Sequence, residues 1–551
     1  MPLGHRPILL LLDGDIHTMD VIQPRAQALA IDRGSGRILA VGDNADIRAL
    51  AGPLTETLDL RGRVVIPGLI DAHTHLAMYA QARLNIDLSQ TRSEDEAVAL
   101  ARQRASQTPP GAWVIGQRWD RNHWSPANFP TKASLDAAIP DHPVALSSHD
   151  YHSIWVNSLA LQRAGIDATT PDPPSGKIVR DAAGEPTGLF FEGGALGLIE
   201  AAITPPDTQT LLAELRAVLA DLRARGVTGV HNIEDESSLR LMQALHASGD
   251  LSPRVLFFVQ RQALPDAVRL GIQADFGDDL LRFAGIKVFM DGALGSQTAA
   301  MIDPYEGRPD YTGLLTTSDT EVLTLANQAA EGGLGIAIHA IGDRAVRAAL
   351  DGIEGALHQQ EHTRHEAQRP LTAASLASRY RLEHTQLIRP EDITRMARLD
   401  VVGSVQPFHA VVDRYTAERA WGTRHARSYA YQTMRAAGVR LALGSDVPVD
   451  TADPWRILHA AVTRRNDQAI AAEGPWLPDQ ALSLDQAFWG YTVGAAYAGG
   501  QETRQGSLTP GKLADLVVLA DNIFTVPADR LASTQVAATL VGGELVSGKL
   551  D

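Results

Sequence analysis

A short stretch near residue 70 constrains the fold of this chain more than any other. Residues 64–76 read VVIPGLIDAHTHL: an apolar run ended by Pro67-Gly68, a second apolar run, and two histidines one residue apart. In an extended strand the side chains of residues i and i+2 point to the same face, so His73 and His75 can converge where the strand ends. Two converging imidazoles suit zinc and neighbouring transition metals. Taken alone, the pair is equally explained as two unrelated histidines.

The composition restricts the classes of function that remain. Of 551 residues, 44% are hydrophobic and 21% charged, which is ordinary for a globular protein. A chain of this length can hold a large core and more than one domain, or a single long barrel with insertions. The net charge of −16 argues against a nucleic-acid backbone as the main partner. Because there is no cysteine, disulfides and thiolate chemistry are excluded, and metal ligands must be histidines and carboxylates.

The amino-terminal residues favour a cytoplasmic enzyme. The apolar run at residues 8–12 is too short to span a membrane and is followed by Asp13-Gly14. No small-residue cleavage site follows, so this run predicts a strand and not a signal peptide. We therefore expect a small-molecule substrate, and neither nucleic acid nor a membrane as a partner. The sequence leaves open whether the chain forms a homo-oligomer.

The two ends of the chain share a strand-rich pattern. Residues 1–66 hold short apolar runs separated by glycine-containing turns. The carboxyl end has similar runs at 516–519 and 536–541, and Gly542-Gly543 predicts a hairpin turn. Neither end is large enough to hold a core alone. We therefore predict that residues 1–66 and 496–551 meet as one composite β-sandwich domain.

Between these ends, apolar strand-like runs alternate with helical patterns, as in a βα repeat. Helical patterns occur at 94–106, 211–225 and 319–332. Strand-like runs occur at 227–231, 286–290, 335–339, 380–384, 401–405 and 439–443. The alternation predicts an α/β fold with a (β/α)8 barrel over residues 67–495. Residues 83–200 lack it and are richer in proline, glycine, tryptophan and histidine, so we interpret them as an inserted capping region.

Ligand-type residues recur where the predicted strands end. The carboxyl ends of barrel strands surround the active site of such a fold. Six residues lie in or directly after the apolar runs: His73, His75, Lys287, His339, His384 and Asp446. Each has an ordinary explanation when taken singly, such as a hydrogen-bonded histidine or, for Asp446, a helix N-cap. Six of them in this order on one barrel indicate a shared site.

These motifs resemble the amidohydrolase superfamily, metal-dependent hydrolase barrels with a composite β-sandwich. The resemblance spans essentially the whole chain and includes residues 67–75, PGLIDAHTH, and residues 506–519, GSLTPGKLADLVVL. Within the superfamily the chain is most similar to the YtcJ-like branch, or amidohydrolase 3 group, which includes N-substituted formamide deformylase. The features of that branch are Phe129-Pro130-Thr131, Asp141-His142-Pro143-Val144, His152 to Asn157-Ser158, Lys287 to Asp291-Gly292, and His339-Ala340-Ile341-Gly342-Asp343.

The resemblance implies a site for divalent metal, expected to be two zinc ions per chain. By analogy, His73 and His75 bind the first ion, and His339 and His384 bind the second. Asp446 contacts the first ion and the nucleophilic water. Asp446 then serves as general base for that water and as general acid for the leaving amine.

Three further residues have implied roles. Lys287 would bridge the two ions, but an ammonium has no lone pair, so the lysine would first react with carbon dioxide to form a carbamate. The alternative is an unmodified Lys287 paired with Asp291 or another carboxylate. Asp291 otherwise supports a ligand or Lys287. His152 would donate a hydrogen bond to the developing oxyanion, and its alternative is a packing histidine.

The implied reaction is hydrolysis of an amide-type carbon–nitrogen bond, as in an N-acyl or N-formyl amine, by a hydroxide that bridges the ions. A mononuclear deaminase of a cyclic amidine or heterocycle is an alternative. It is disfavoured because such deaminases carry a glutamate three residues after the fifth-strand histidine, where this chain has Gly342. A scaffold homologue without activity is disfavoured because every expected ligand is present.

Overall fold

The structure, a computed structural model, divides the chain into two units. The first unit is Met1–Ala77 with Leu215–Asp551, and the second is Met78–Glu214. The domain boundaries expected from the sequence, and the capping role of residues 83–200, stay predictions. The described residues are 7–121, 124–148, 153–173, 176–191, 193–367, 379–468 and 474–550.

Eight strands form the central sheet of the first unit, and each pairs in parallel with the next along the chain. We number them as the first to eighth barrel strands. The third is not among the strand-like runs predicted from the sequence, and the others overlap predicted runs. The strands are Leu69–Thr74, Val227–Glu234, Arg254–Gln260, Leu281–Phe289, Gly335–Ala340, Tyr380–His384, Val402–Val405 and Leu441–Leu443.

The first and eighth barrel strands meet through the residues at their carboxyl ends. The backbone N–H of Asp446 donates to the carbonyl of His73 at 2.8 Å, and that of His75 donates to the carbonyl of Val447 at 3.0 Å. Thr74 and Val447 form a parallel bridge at the same place. The contact that joins the two strands therefore also sets the position of the two histidines against Asp446.

Helices connect the barrel strands. The helix predicted at 319–332 is observed as Asp319–Glu331 and begins with a capping box, in which Ser318 and Glu321 exchange hydrogen bonds of 3.2 and 2.8 Å. No helix in the described ranges is long and apolar enough to cross a membrane. The helices that follow the second barrel strand are Glu236–Ala247, Leu264–Leu270, Asp319–Glu331, Asp343–Ala367, Pro390–Arg398, Pro407–Val412, Arg414–Trp421, Tyr431–Ala436, Pro454–Thr463, Leu484–Trp489 and Ala495–Ala498.

Strands from both ends of the chain form two further sheets in the first unit. The carboxyl-terminal strand Leu516–Leu519 pairs antiparallel with Val64–Pro67. Buried side chains of both sheets, among them Leu9, Ile31 and Val65, form one apolar cluster. The predicted fold class, a (β/α)8 barrel with a composite β-sandwich, is confirmed. The strand order of the four-stranded sheet is Arg37–Gly42, Ala28–Asp32, Ile8–Leu12 and Thr55–Asp59. The strand order of the six-stranded sheet is Glu544–Gly548, Val536–Val541, Leu516–Leu519, Val64–Pro67, Asp15–His17 and Arg25–Ala26.

The second unit is built on a six-stranded mixed sheet. Its core contains the buried tryptophans Trp119, Trp124 and Trp155, whose ring centroids lie 5.5 to 6.5 Å apart. The sheet order is Lys177–Arg180, Pro186–Phe191, Ser153–Val156, Val144–Ser148, Val114–Trp119 and Ile86–Asp87. In the described part of the chain, the α-helices that precede the second barrel strand are Asn44–Arg48, Leu76–Leu84, Glu94–Ala105, Lys132–Ala138, Ser158–Ala164, Gly193–Glu200 and Thr208–Ala224.

Candidate metal centre

The predicted ligand residues lie at the carboxyl ends of five barrel strands. His73 is near the end of the first strand, and His75 follows that strand directly. The remaining four are Lys287 in the fourth strand, His339 in the fifth, His384 at the end of the sixth, and Asp446 shortly after the eighth.

Several of these side chains converge. One ligand atom each from His73, His384 and Asp446 lie within 4.8 Å of one another. Asp446 Oδ1 lies 3.0 Å from His75 Nε2 and 3.4 Å from His73 Nε2. The ring of His339 packs against that of His384, with centroids 4.5 Å apart. Imidazole nitrogens and a carboxylate in this cluster are the donor set that zinc and related ions prefer.

Hydrogen bonds fix the ring orientation of three of the histidines. Metal-binding histidines usually donate their second ring N–H to a protein acceptor, which directs the other nitrogen at the ion. Here the Nδ1 atoms have such acceptors: Glu383 Oε2 for His73 at 2.6 Å, the Ile233 carbonyl for His75 at 2.6 Å, and Gln406 Oε1 for His384 at 2.9 Å. Nε2 of His73 is buried with no hydrogen-bond partner in the described ranges. These residues therefore fit a bound divalent metal.

The electrostatic environment favours neutral imidazoles. Burial lowers the pKa of His73 to about 4 and that of His339 to about 3, and it places the pKa of His384 well below its usual range. His75 differs, because its hydrogen bond to Asp446 outweighs the effect of burial and raises its pKa. A neutral imidazole is the form that binds metal, so burial prepares these side chains as ligands.

The environment also keeps Asp446 ionised. Burial alone would raise the pKa of this carboxyl, but the electrostatic influence of the surrounding histidine rings and the hydrogen bond from His75 hold the pKa well below its usual range. An anionic carboxylate can bind a cation or accept a proton.

Two of the converging residues have left-handed backbone conformations. φ is 73° at His384 and 60° at Asp446, a region that L-residues adopt at some energetic cost and that is enriched at functional sites. Adjacent residues of a regular strand face opposite ways. Yet Glu383 bonds to His73, and the His384 ring lies 5.0 Å from the His73 ring. The left-handed turn at the strand end is what allows two consecutive residues to reach the same site.

Lys287 is buried within the barrel, with 1% of its surface exposed. Burial lowers the pKa of its amine to about 8, against the opposing attraction of Glu383 and Asp446. Its Nζ atom lies 5.0 Å from the centroid of the Phe289 ring. The Phe289 ring also packs against the ring of His339, and the two ring centroids are 5.2 Å apart.

Of the two other predicted residues, Asp291 lies within the described residues and His152 does not. The carboxylate of Asp291 accepts backbone N–H bonds from Ala300, Ile341 and Gly342 at 2.8 to 3.0 Å. It therefore fixes the loops that follow the fourth and fifth strands, and its oxygen Oδ1 lies 3.5 Å from Nε2 of His339. His152 lies outside the described residues, so its role as an oxyanion donor stays a prediction.

Sequence reasoning did not identify several side chains that contact the cluster. Glu383 and Gln406 hold ligand histidines, and His409 Nε2 lies 3.7 Å from Asp446 Oδ2. A signal for Glu383 was present, because Arg381 and Glu383 are opposite charges two residues apart on a strand and must pair if buried. Nothing in the sequence pattern indicates that His409 reaches the cluster, because it lies on a short helix, Pro407–Val412, after the seventh strand.

The junction of the first and eighth strands has no room for a side chain at Gly444. A Cβ atom there would lie 2.6 Å from the backbone nitrogen of His73 and 3.0 Å from Oδ1 of Asp71. We expect Gly444→Ala to lower the free energy of unfolding by about 1–3 kcal/mol through overpacking, and to weaken metal binding. Gly295→Ala is the control, because its added Cβ would have no atom of the described residues within 4 Å apart from its own chain neighbours. Equal denaturation midpoints for the two variants would contradict this prediction.

Comparison with known proteins agrees with the fold and the motifs. A model of the amidohydrolase family matches residues 56–547. YtcJ of Bacillus subtilis (strain 168) is 32% identical over 97% of this chain and 98% of its own. N-substituted formamide deformylase of Arthrobacter pascens is 30% identical over 98% of each chain. The crystal structure of an uncharacterized metal-dependent hydrolase from Pyrococcus horikoshii OT3 has a TM-score of 0.77 and 26% identity, covering 95% of this chain and 99% of that one.

The family match covers most of the chain, and both named relatives align with nearly its full length. The predicted resemblance to the amidohydrolase 3 group is thereby confirmed. The chain belongs to the amidohydrolase family and is an enzyme that hydrolyses carbon–nitrogen bonds.

Proposed function

We propose that the protein hydrolyses an amide-type carbon–nitrogen bond, in an N-acyl or N-formyl amine or a related small amide. The observation that carries this proposal is the convergence of His73, His384 and Asp446 at the carboxyl ends of the barrel strands, with ligand atoms within 4.8 Å. The likeness to N-substituted formamide deformylase over the full chain supports an amide substrate. Family membership implies a divalent metal, and the donor set supports zinc.

We assign His73, His75 and Asp446 to a first ion, and His339 and His384 to a second. A bound divalent ion would supply a nucleophilic water at neutral pH and polarise the substrate carbonyl. The close packing of the His339 and His384 rings supports their assignment to one ion.

We assign Lys287 to the bridging position. Its neutral amine would attack carbon dioxide, so that an N–C bond forms and one proton is released. The resulting carbamate shares one negative charge between two oxygens that could each bind a cation, whereas the unmodified ammonium cannot. Its burial in the barrel supports this assignment, because a charged ammonium is costly to bury.

The remaining steps are carried by Asp446 and the oriented histidines. The Asp446 carboxylate accepts the proton of the attacking water and returns it to the nitrogen of the leaving amine, so that the product leaves as a neutral amine. Glu383 and Gln406 keep the rings of His73 and His384 in place during these steps. His152 is our candidate for the hydrogen-bond donor to the oxyanion.

A specific observation argues against the deaminase alternative. A Cβ atom at position 342 would lie 2.0 Å from the carbonyl oxygen of Ala300, so this backbone cannot carry a glutamate there. No side chain at position 342 is therefore available to protonate the ring of a deaminase substrate.

The proposal is tested by incubating the metal-loaded protein with a panel of N-formyl and N-acyl amines, and in parallel with cyclic amidines. We expect release of a free amine together with formate or another carboxylate. Release of ammonia from the cyclic amidines, without amine from the amides, would replace this function with deamination. A fully metal-loaded protein that cleaves neither class would contradict the proposal.

A further inference from the structure

A fully buried ion pair lies beside the candidate metal ligands. Arg381 and Glu383, two residues apart on the sixth barrel strand, are both 0% exposed. Arg381 Nε donates to Glu383 Oε1 at 2.5 Å, and Nη2 donates to Oε2 at 3.0 Å. Barrel interiors of this kind are usually filled by branched apolar side chains, so a charged pair in this position calls for a physical reason.

Arg381 connects this pair to three other barrel strands. Its Nη2 atom donates to the carbonyl of Ala72 at 2.5 Å and to Oγ of Ser404 at 2.8 Å. Its Nη1 atom donates to Nδ1 of His231 at 2.8 Å. One guanidinium therefore links the first, second, sixth and seventh strands around the backbone that carries His73.

Glu383 in turn holds the ring of His73. Its Oε2 atom accepts the Nδ1–H of His73 at 2.6 Å, which leaves Nε2 directed at the ligand cluster. Arg381 therefore holds the peptide group that joins Ala72 to His73 and, through Glu383, the side chain of His73. We propose that Arg381 and Glu383 are positioning residues that fix both the tautomer and the location of His73 for metal binding. This inference rests on the proposed function.

Stability alone is a weak explanation for the pair. Replacing a buried ion pair by well-packed apolar residues is often neutral or stabilising, whereas removing one partner is strongly destabilising. The chain contains a second buried pair that serves as a comparison. Arg254 and Asp515, with side chains 10% and 5% exposed, form two hydrogen bonds of 2.7 and 2.8 Å. That pair joins the third barrel strand to the carboxyl-terminal region, and none of its hydrogen bonds to described residues reaches a candidate ligand.

The test compares Glu383→Gln with Asp515→Asn in the full chain. A glutamine side chain has one acceptor oxygen and one NH2 donor, so the first variant must turn its NH2 group towards a donor, either Nε of Arg381 or Nδ1 of His73, and cannot keep all three hydrogen bonds that Glu383 accepts. Both variants should unfold at lower temperature than the parent protein in the metal-free state. Only Glu383→Gln should release Co²⁺ to a competing chelator about 10–100-fold more readily, and only this variant should shift the visible absorption of the Co²⁺ form.

Several results would overturn the inference. Unchanged Co²⁺ affinity and absorption in Glu383→Gln, or equal losses in Asp515→Asn, would leave the pair with a structural role only. If Glu383→Gln does not fold, Ser404→Ala decides, because it removes one bond to Arg381 without exposing a charge; a parent-like Co²⁺ release rate would then refute the inference. A parent protein that binds no metal would refute the proposed function as well, so the two failures can be told apart.

Discussion

The Asp446→Asn variant is expected to bind metal but to lose about 10²–10⁴-fold in turnover number, because an amide cannot accept and return a proton as a carboxylate does. The substitution keeps the size of the side chain and an oxygen that can lie near His75, whose Nε2 is 3.0 Å from Oδ1 of Asp446 in the parent. Steady-state turnover on the amide identified by the substrate panel, with metal content measured on the same samples, tests this.

Asp343→Asn is the matched control for this substitution. Asp343 is also a buried carboxylate, and it accepts hydrogen bonds from Arg389 at 3.1 Å and from the backbone of Ile302 at 2.8 Å. We expect this control to lose stability but to keep its turnover number in the folded protein. Near-parental turnover in Asp446→Asn would mean that another group acts as the base.

The second large effect is expected for Lys287→Ala. Without the bridging group, the protein should lose much of the second ion and at least about 100-fold in activity, since a second ion contributes several kcal/mol to transition-state stabilisation. A small carboxylate such as acetate should restore part of both, because it can supply two oxygens in the space that the side chain leaves.

Lys512→Ala is the matched control for Lys287→Ala, because it removes a lysine side chain that lies outside the candidate metal centre. Lys512 is a half-buried lysine near the carboxyl terminus, and its Nζ donates to Oγ of Ser507 at 2.8 Å. We expect normal metal content and activity in this control. An intact metal site in Lys287→Ala, or activity that no carboxylate increases, would remove Lys287 from the mechanism.

Most of the fold could be predicted from the sequence, because the barrel strands are short apolar runs bounded by turns. The pairing of the two chain ends followed from their common strand-rich pattern and from the lack of a core in either alone. The third barrel strand, Arg254–Gln260, was not predicted, because a short continuous apolar run such as that in RVLFFVQ cannot be told from a buried helical segment by its periodicity.

Only part of the candidate site could be predicted from the sequence. Strand-end positions pointed to His73, His384 and Asp446, but not to the contacts that hold them. A left-handed residue at a strand end, as at His384, breaks the alternation on which such reasoning depends. His409 reaches Asp446 from a helix, so only the packing of separate elements brings the two together.

The most direct test of a catalytic pair of cations is the metal content of the purified protein, measured by elemental analysis beside its hydrolytic activity. We expect about two transition-metal ions per chain, and complete loss of hydrolysis once a strong chelator has removed them, with recovery on adding zinc. Full activity in a sample shown to contain no metal would contradict the account.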